Sequence, residues 1–267
     1  MDSIRSAAAA ASHARATVVV TTSWDDGHCL DEQLADVLAD HGVAASFYLA
    51  PKNAEIRADR RLSHASIRRI AQSFEIGSHT LTHPRLTRLD SASAAREIAL
   101  GRDELEQVVG KSVTSFCYPY GAYNVQHVKM VEDLGFVVGR TTRRFCVEWP
   151  SNLLQMSTTS HAVRRKADAW PVLRRSRTAS QALSTWASWD VLARRLFEEA
   201  LVKGGVYHLW GHSWEIEENG DWQRLRSFLR YVASVPGVLF LTNGELARPV
   251  EAHAEEQLRL PRTRPCR

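Results

Sequence analysis

Two adjacent acids, Asp25 and Asp26, follow a run of β-branched residues and precede a glycine in the stretch TTSWDDGH, residues 21–28. Two like charges that close repel, and each raises the other's proton affinity unless a positive group stands beside them. Further along, SHTLTHP supplies His79 and His83, four residues apart. One helical turn or a compact loop can bring imidazoles at that spacing to one face. Two imidazoles and one carboxylate form a divalent-metal set with coordination positions left open for water and substrate. One of the two acids would hold the cation. The other would stay free beside it, tolerated because the cation offsets the repulsion. Each piece alone has a plainer reading: Asp-Asp-Gly as a turn, His-x-x-x-His as a solvated or core pair, and YPYG at 118–121 as a tight turn.

What lends these residues weight is the set of elements that must carry them. VVVTTSW reads as a buried strand, and LDEQLADVLADHG as an amphipathic helix stopped by Gly42. Strand and helix patterns then alternate. The strands are VAASFYLA, FEIGSH, SVTSFCY, FVVGRTT, VYHLWGH and VLFLT, with helical segments between them. That order implies parallel strands joined by right-handed crossovers. About seven such units in one chain suit a distorted (β/α) barrel, whose strand C-terminal ends gather on one active face. The polar residues at those ends are Asp25, Asp26, His79, His83, Tyr118, Tyr120, Arg140, His208, Trp210 and His212.

The barrel domain is expected over residues 17–247. A leader (1–16) and a flexible tail (248–267) flank it, and an irregular, basic insertion occupies 142–187. With 267 residues, 44% of them hydrophobic, the chain can bury a large core. Four cysteines without Cys-x-x-Cys spacing suggest reduced thiols. The leader lacks the charged and apolar regions of a signal peptide, and no run of about 18 apolar residues is present. A cytoplasmic protein with no membrane partner is the expectation. Net charge is +4, and the run from Arg164 to Arg177 reads as a solvated face. No aromatic-interleaved base-stacking pattern points to nucleic acid.

TSWDDG, SHTLTHP, YPYG and LWGHSWE together resemble the motif series of the polysaccharide deacetylase family, whose shared core is the NodB-homology domain. The resemblance implies hydrolysis of acetyl groups on carbohydrates with a divalent metal, usually Zn²⁺. It implies Asp25 as general base and Asp26, His79 and His83 as metal ligands. By the same resemblance the Tyr120 backbone N–H would hold the oxyanion, and His212 would be the general acid. Trp214 and Tyr118 are the candidate substrate contacts. The chain departs from the pattern at Cys117, where the family carries an Arg that orients the base; Arg140, on the next strand, is the expected substitute. The family's fourth motif is not evident, and Glu215 is the expected support for His212. His208 is expected to be a buried core residue. Competing readings are an amidohydrolase of the same fold acting on a small non-sugar amide, an inactive carbohydrate-binding barrel, and an iron oxygenase.

Overall fold

A computed structural model describes residues 18–250 and 252–253. The strands are β1 (Val18–Asp26), β2 (Ala45–Leu49), β3 (Glu75–Ser78), β4 (Ser115–Cys117), β5 (Val138–Arg140), β6 (Ser160–His161), β7 (Gly205–Gly211) and β8 (Val238–Phe240). The helices are α1 (Asp31–Asp40), α2 (His64–Ile70), α3 (Ser91–Val109), α4 (Val125–Asp133), α5 (Ala169–Arg175), α6 (Ala179–Ala187), α7 (Trp189–Lys203), α8 (Ser213–Glu218) and α9 (Trp222–Ala233).

All strand pairs are parallel, in the order β5-β4-β3-β2-β1-β7-β6 with β8 also on β1. Every residue of β1 is buried, because it has strands on both edges and is covered on both faces. That is why it reads as an unbroken Val/Thr run rather than an alternating one. The sheet curls until its edges approach. Met156 bridges Arg140 at the end of β5, and a few residues later Ser160 and His161 pair with β7. The segment between thus spans the gap and almost closes the ring.

The seven expected strands are present, and β6 is an eighth inside the expected irregular insertion. Its neighbourhood, Thr158-Thr159-Ser160-His161, is polar yet buried. Thr159 Oγ1 donates to the Cys146 carbonyl at 2.5 Å, and Ser160 Oγ lies 2.7 Å from the Tyr207 hydroxyl. Satisfied hydroxyls let a strand with no apolar signature sit in the core. The insertion also holds α5 and α6, so it is largely ordered. The expected leader lies outside the described residues, as do 251 and 254–267 of the expected tail. Residues 247–250 are helical, so regular structure runs past the expected boundary.

One helix matters most for the site. Helix α3 starts on Asp90, whose side chain accepts from Ser93 N at 2.8 Å, and ends at Gly110 with φ 71°. Its inner face carries Ala94, Ile98, Leu105 and Val108, with Gly101 among them. A Cβ on Gly101 would stand 2.4 Å from the Thr80 carbonyl carbon, so only glycine lets the loop after β3 lie on this helix. Glu97, one turn earlier, accepts from Leu81 N (3.2 Å), Thr82 N (2.9 Å) and Thr82 Oγ1 (2.9 Å). The loop carrying both histidines is therefore held by one carboxylate and one missing side chain.

Candidate active site

Asp25 and Asp26 end β1, and Asp26 takes a positive φ of 84° before Gly27. That turn sends the two carboxylates to different partners. Asp26 Oδ1 lies 3.5 Å from His83 Nε2 and 3.9 Å from His79 Nε2. It is buried without a hydrogen-bond partner among the described residues. Its other oxygen accepts from Trp214 Nε1 at 3.2 Å. His79 Nδ1 lies 2.7 Å from the Cys117 carbonyl, an acceptor, so the proton sits on Nδ1 and the Nε2 lone pair is free. His83 Nδ1 lies 2.8 Å from a Glu55 carboxylate oxygen, which fixes the same tautomer. Burial, and His83 beside it, pull the His79 pKa down to about 3, so its ring is neutral.

The three groups Asp26, His79 and His83 thus face one another with their ligand atoms within 4.8 Å. An orphaned carboxylate oxygen and two imidazole Nε2 atoms are the donor set of a divalent-cation site of the two-His, one-carboxylate kind, so the residues fit such an ion.

Asp25 faces a different charge. Its Oδ1 accepts from Arg140 Nη2. Arg140 is fully buried, with its guanidinium 4.7 Å from the Trp210 ring centroid and 5.3 Å from that of Tyr48. Burial pushes the Asp25 carboxyl up, but Arg140, His79 and His212 more than offset this and hold it below the usual carboxylate range. Sequence reading expected Arg140 in this place from topology alone.

His212 follows β7 and points its Nε2 at the acids, 3.7 Å from Asp26 Oδ2 and 4.0 Å from Asp25 Oδ2. Its Nδ1 is 2.5 Å from Glu215 Oε2. Burial lowers its pKa, but the Glu215 hydrogen bond and the charges of Asp26 and Asp25 override that and raise it to about 9. His208, on the same strand, is buried, bonds Ser23 Oγ at 2.8 Å and is pulled down by burial to about 3. It is a neutral core residue away from the cavity.

Tyr120 adopts φ 58°, a strained value for a side chain of this size. No carbonyl among the described residues takes its backbone N–H. Its ring lies 4.6 Å from that of His83 and beneath the Arg85 guanidinium. Trp214 lines the same cavity, of about 480 Å³. Tyr118 also lines this cavity; its hydroxyl donates to the Leu154 carbonyl at 2.9 Å, and its ring stacks on Tyr123. Its polar end is thus already engaged within the wall. Cys117 is a packing residue, its thiol pushed up by burial.

Several residues at this site escaped sequence reading. Glu55 follows β2 in a stretch without a motif, and its only signal was its position just past a strand end. His161 was hidden with its strand; its Nε2 lies 3.3 Å from Glu215 Oε2. The basic run proves divided. Arg165 turns into the site and holds Glu215 Oε1 at 3.1 Å, while Arg164 stacks on Trp186 and Arg175 pairs with Glu199.

Residues 13–139 match the sequence profile of a family described as polysaccharide deacetylase. Over that span, a little under half of the chain, the sequence is similar to the polysaccharide deacetylase family. It is 32% identical over 106 residues to a chitooligosaccharide deacetylase of Rhizobium leguminosarum bv. trifolii, a stretch covering 38% of this chain and 46% of that protein. It is 27% identical over 122 residues to a peptidoglycan-N-acetylglucosamine deacetylase of Bacillus cereus, covering 45% and 42% respectively. The matched stretches thus span less than half the length of these curated relatives.

Likeness of fold extends further. A crystal structure provisionally named a polysaccharide deacetylase, from Mycobacterium smegmatis, superposes over 95% of each chain with TM-score 0.67 at 18% identity. The peptidoglycan deacetylase PdaC of Bacillus subtilis superposes over 91% of this chain and 96% of its own, with TM-score 0.54 at 17% identity. The family match stops one residue short of Arg140. Arg140, His212, Trp214 and Glu215 are therefore joined to the polysaccharide deacetylase span by geometry.

Proposed function

We propose that this chain is a metal-dependent deacetylase that removes the acetyl group from an N-acetylated carbohydrate. One observation carries the reading. An orphaned Asp26 oxygen and two Nε2 lone pairs converge, while the neighbouring Asp25 is held ionised by Arg140. A cation held by Asp26, His79 and His83, Zn²⁺ being the choice that best suits this ligand set, would lower the pKa of bound water and polarise the acetyl carbonyl.

The chain's own residues supply the rest. Asp25, ionised at neutral pH, accepts a proton from the attacking water. The Tyr120 N–H, left without an acceptor, is a donor for oxygen charge that develops on the acetyl group. His212, charged below about pH 9, gives its proton to the departing amine nitrogen. An amide anion is too poor a leaving group to depart without that proton. Water is consumed, and acetate and a free amine are released. Glu215 keeps the imidazole charged and turned, and Trp214 fixes the Asp26 carboxylate while lining the cavity.

The deciding experiment is an acetate-release screen over N-acetylated sugars and small amides, on chelated protein with and without added Zn²⁺. Release from sugars that needs zinc is the expected result. Turnover of a small amide alone would replace this reading with the amidohydrolase one, and glycan binding without any release would leave only a binding barrel.

A further inference from the structure

The cavity that holds the four acids Asp25, Asp26, Glu55 and Glu215 is also lined by three arginines outside the catalytic set: Arg85, Arg144 and Arg165. Most of the acids are already matched. Asp25 has Arg140, Glu215 has His212 and Arg165, and the Asp26 oxygens face imidazoles and an indole N–H. Glu55 accepts from His83 and is itself more than half exposed.

The arginines are less fully engaged. Arg85, two residues beyond His83, forms no ion pair among the described residues; its guanidinium rests 4.4 Å above the Tyr120 ring. Arg165 spends Nη1 on Glu215 at 3.1 Å, and its side chain remains 41% exposed. Arg144 pairs Nη2 with Asp168 at 2.7 Å and leaves Nε without a partner. Arg144 and Arg165 both stand near Asp168, on the wall built by the insertion, whereas Arg85 stands on the wall of the histidine loop. Guanidinium groups flank the cavity on both sides. A planar fork of donors at a solvent-open rim binds carboxylate or phosphate far better than it binds a neutral hydroxyl.

Resting on the deacetylase reading, we propose that the substrate is an acetylated sugar carrying an anionic substituent, a carboxylate or a phosphate, and that Arg85 with Arg165 and Arg144 reads that charge. The neutral ring and acetamido group sit over the acids; the anion reaches a guanidinium at the rim.

The test compares N-acetylglucosamine with N-acetylglucosamine 6-phosphate and N-acetylmuramic acid, measuring calorimetric binding and acetate release on zinc-loaded protein at low and high salt. At least one anionic sugar should bind about tenfold tighter than the neutral one, with the preference shrinking as salt rises. The arm that gains more separates phosphate from carboxylate. Arg85→Gln and Arg165→Gln should each bring the anionic-to-neutral ratio toward one. Equal binding of all three sugars overturns the inference, as does a preference that neither variant reduces. Acetate released equally from all three, without a binding preference, sinks this inference alone. Preferential binding with no acetate from any sugar supports the anion site and counts against the hydrolase reading instead.

Discussion

Arg140 donates to Asp25 although their strands, β5 and β1, have β4, β3 and β2 between them. In a flat sheet, strands about 4.8 Å apart would hold these side chains far beyond contact. They meet because the sheet curls and both residues point into its hollow. The same curl sets the Met156 bridge, whereas His212 comes within 4.0 Å of Asp25 by register alone, because β7 pairs directly with β1 from its other side. The barrel shape and the base's charge partner are therefore one feature seen twice.

Removing that partner leaves a buried carboxylate unpaired. Arg140→Gln should cost about 3–5 kcal/mol of stability, the usual penalty for breaking a buried ion pair from one side. Burial then meets only the contributions of His79 and His212, so the Asp25 pKa rises. Asp25 must be ionised to accept a proton, so the acid limb of kcat/KM should move to higher pH. At neutral pH turnover should drop about 10²–10⁴-fold, the contribution expected of a general base. A variant with an unmoved acid limb would show that Arg140 is structural only.

On the proposed mechanism the basic limb should report His212. The donor must be charged, so activity falls as pH rises through its pKa, about 9 before a cation offsets the Asp26 charge that helps raise it. Glu215→Gln removes a hydrogen-bonded carboxylate, so the limb should shift to lower pH while the acid limb stays in place. Profiles of kcat/KM for the two proteins decide this. An unshifted basic limb would assign the acid elsewhere.

Glu55 should tune the cation rather than the chemistry. Its carboxylate accepts from His83 Nδ1 at 2.8 Å and holds the ring's free lone pair toward Asp26. Such supporting partners are typically worth about 10–100-fold in metal affinity. Glu55→Gln should weaken zinc binding by that range in competition with a chelator dye, and saturating zinc should restore most of the activity. His83→Ala should not be restored this way. If both variants bind zinc equally well, the cation does not sit on His83.

How far sequence anticipated this molecule depends on which signal each element carries. Periodicity exposes α3 and β1 because their apolar faces are continuous, and Asp25, Asp26, His79 and His83 stand out because few other residue sets do their chemistry. β6 stays hidden because its core position is filled by satisfied hydroxyls, which read as loop. Glu55 and Arg165 stay hidden because a lone charge gains its meaning from neighbours distant in the chain. Arg140 was legible only through topology: the family position had lost its Arg to Cys117, and the adjacent strand end was the nearest place to supply one.

Asp31 tests the region beneath the site. It is fully buried at the start of α1 with neither carboxylate oxygen hydrogen-bonded among the described residues, and burial, with Asp26 and Asp25 adding to it, raises its pKa well above the ordinary carboxylate range. The folded state therefore prefers the protonated acid. Its contribution to stability is complete below about pH 4 and is lost as pH climbs toward the folded-state pKa. Asp31→Asn keeps the shape without an ionisable group. It should be more stable than the parent at neutral pH by on the order of 1 kcal/mol, or about 2–4 °C in Tm, and the advantage should vanish near pH 4. Melting curves across pH 4–8 read both ends. A variant less stable than the parent at pH 7 would mean that the ionised carboxylate has a partner in the folded protein.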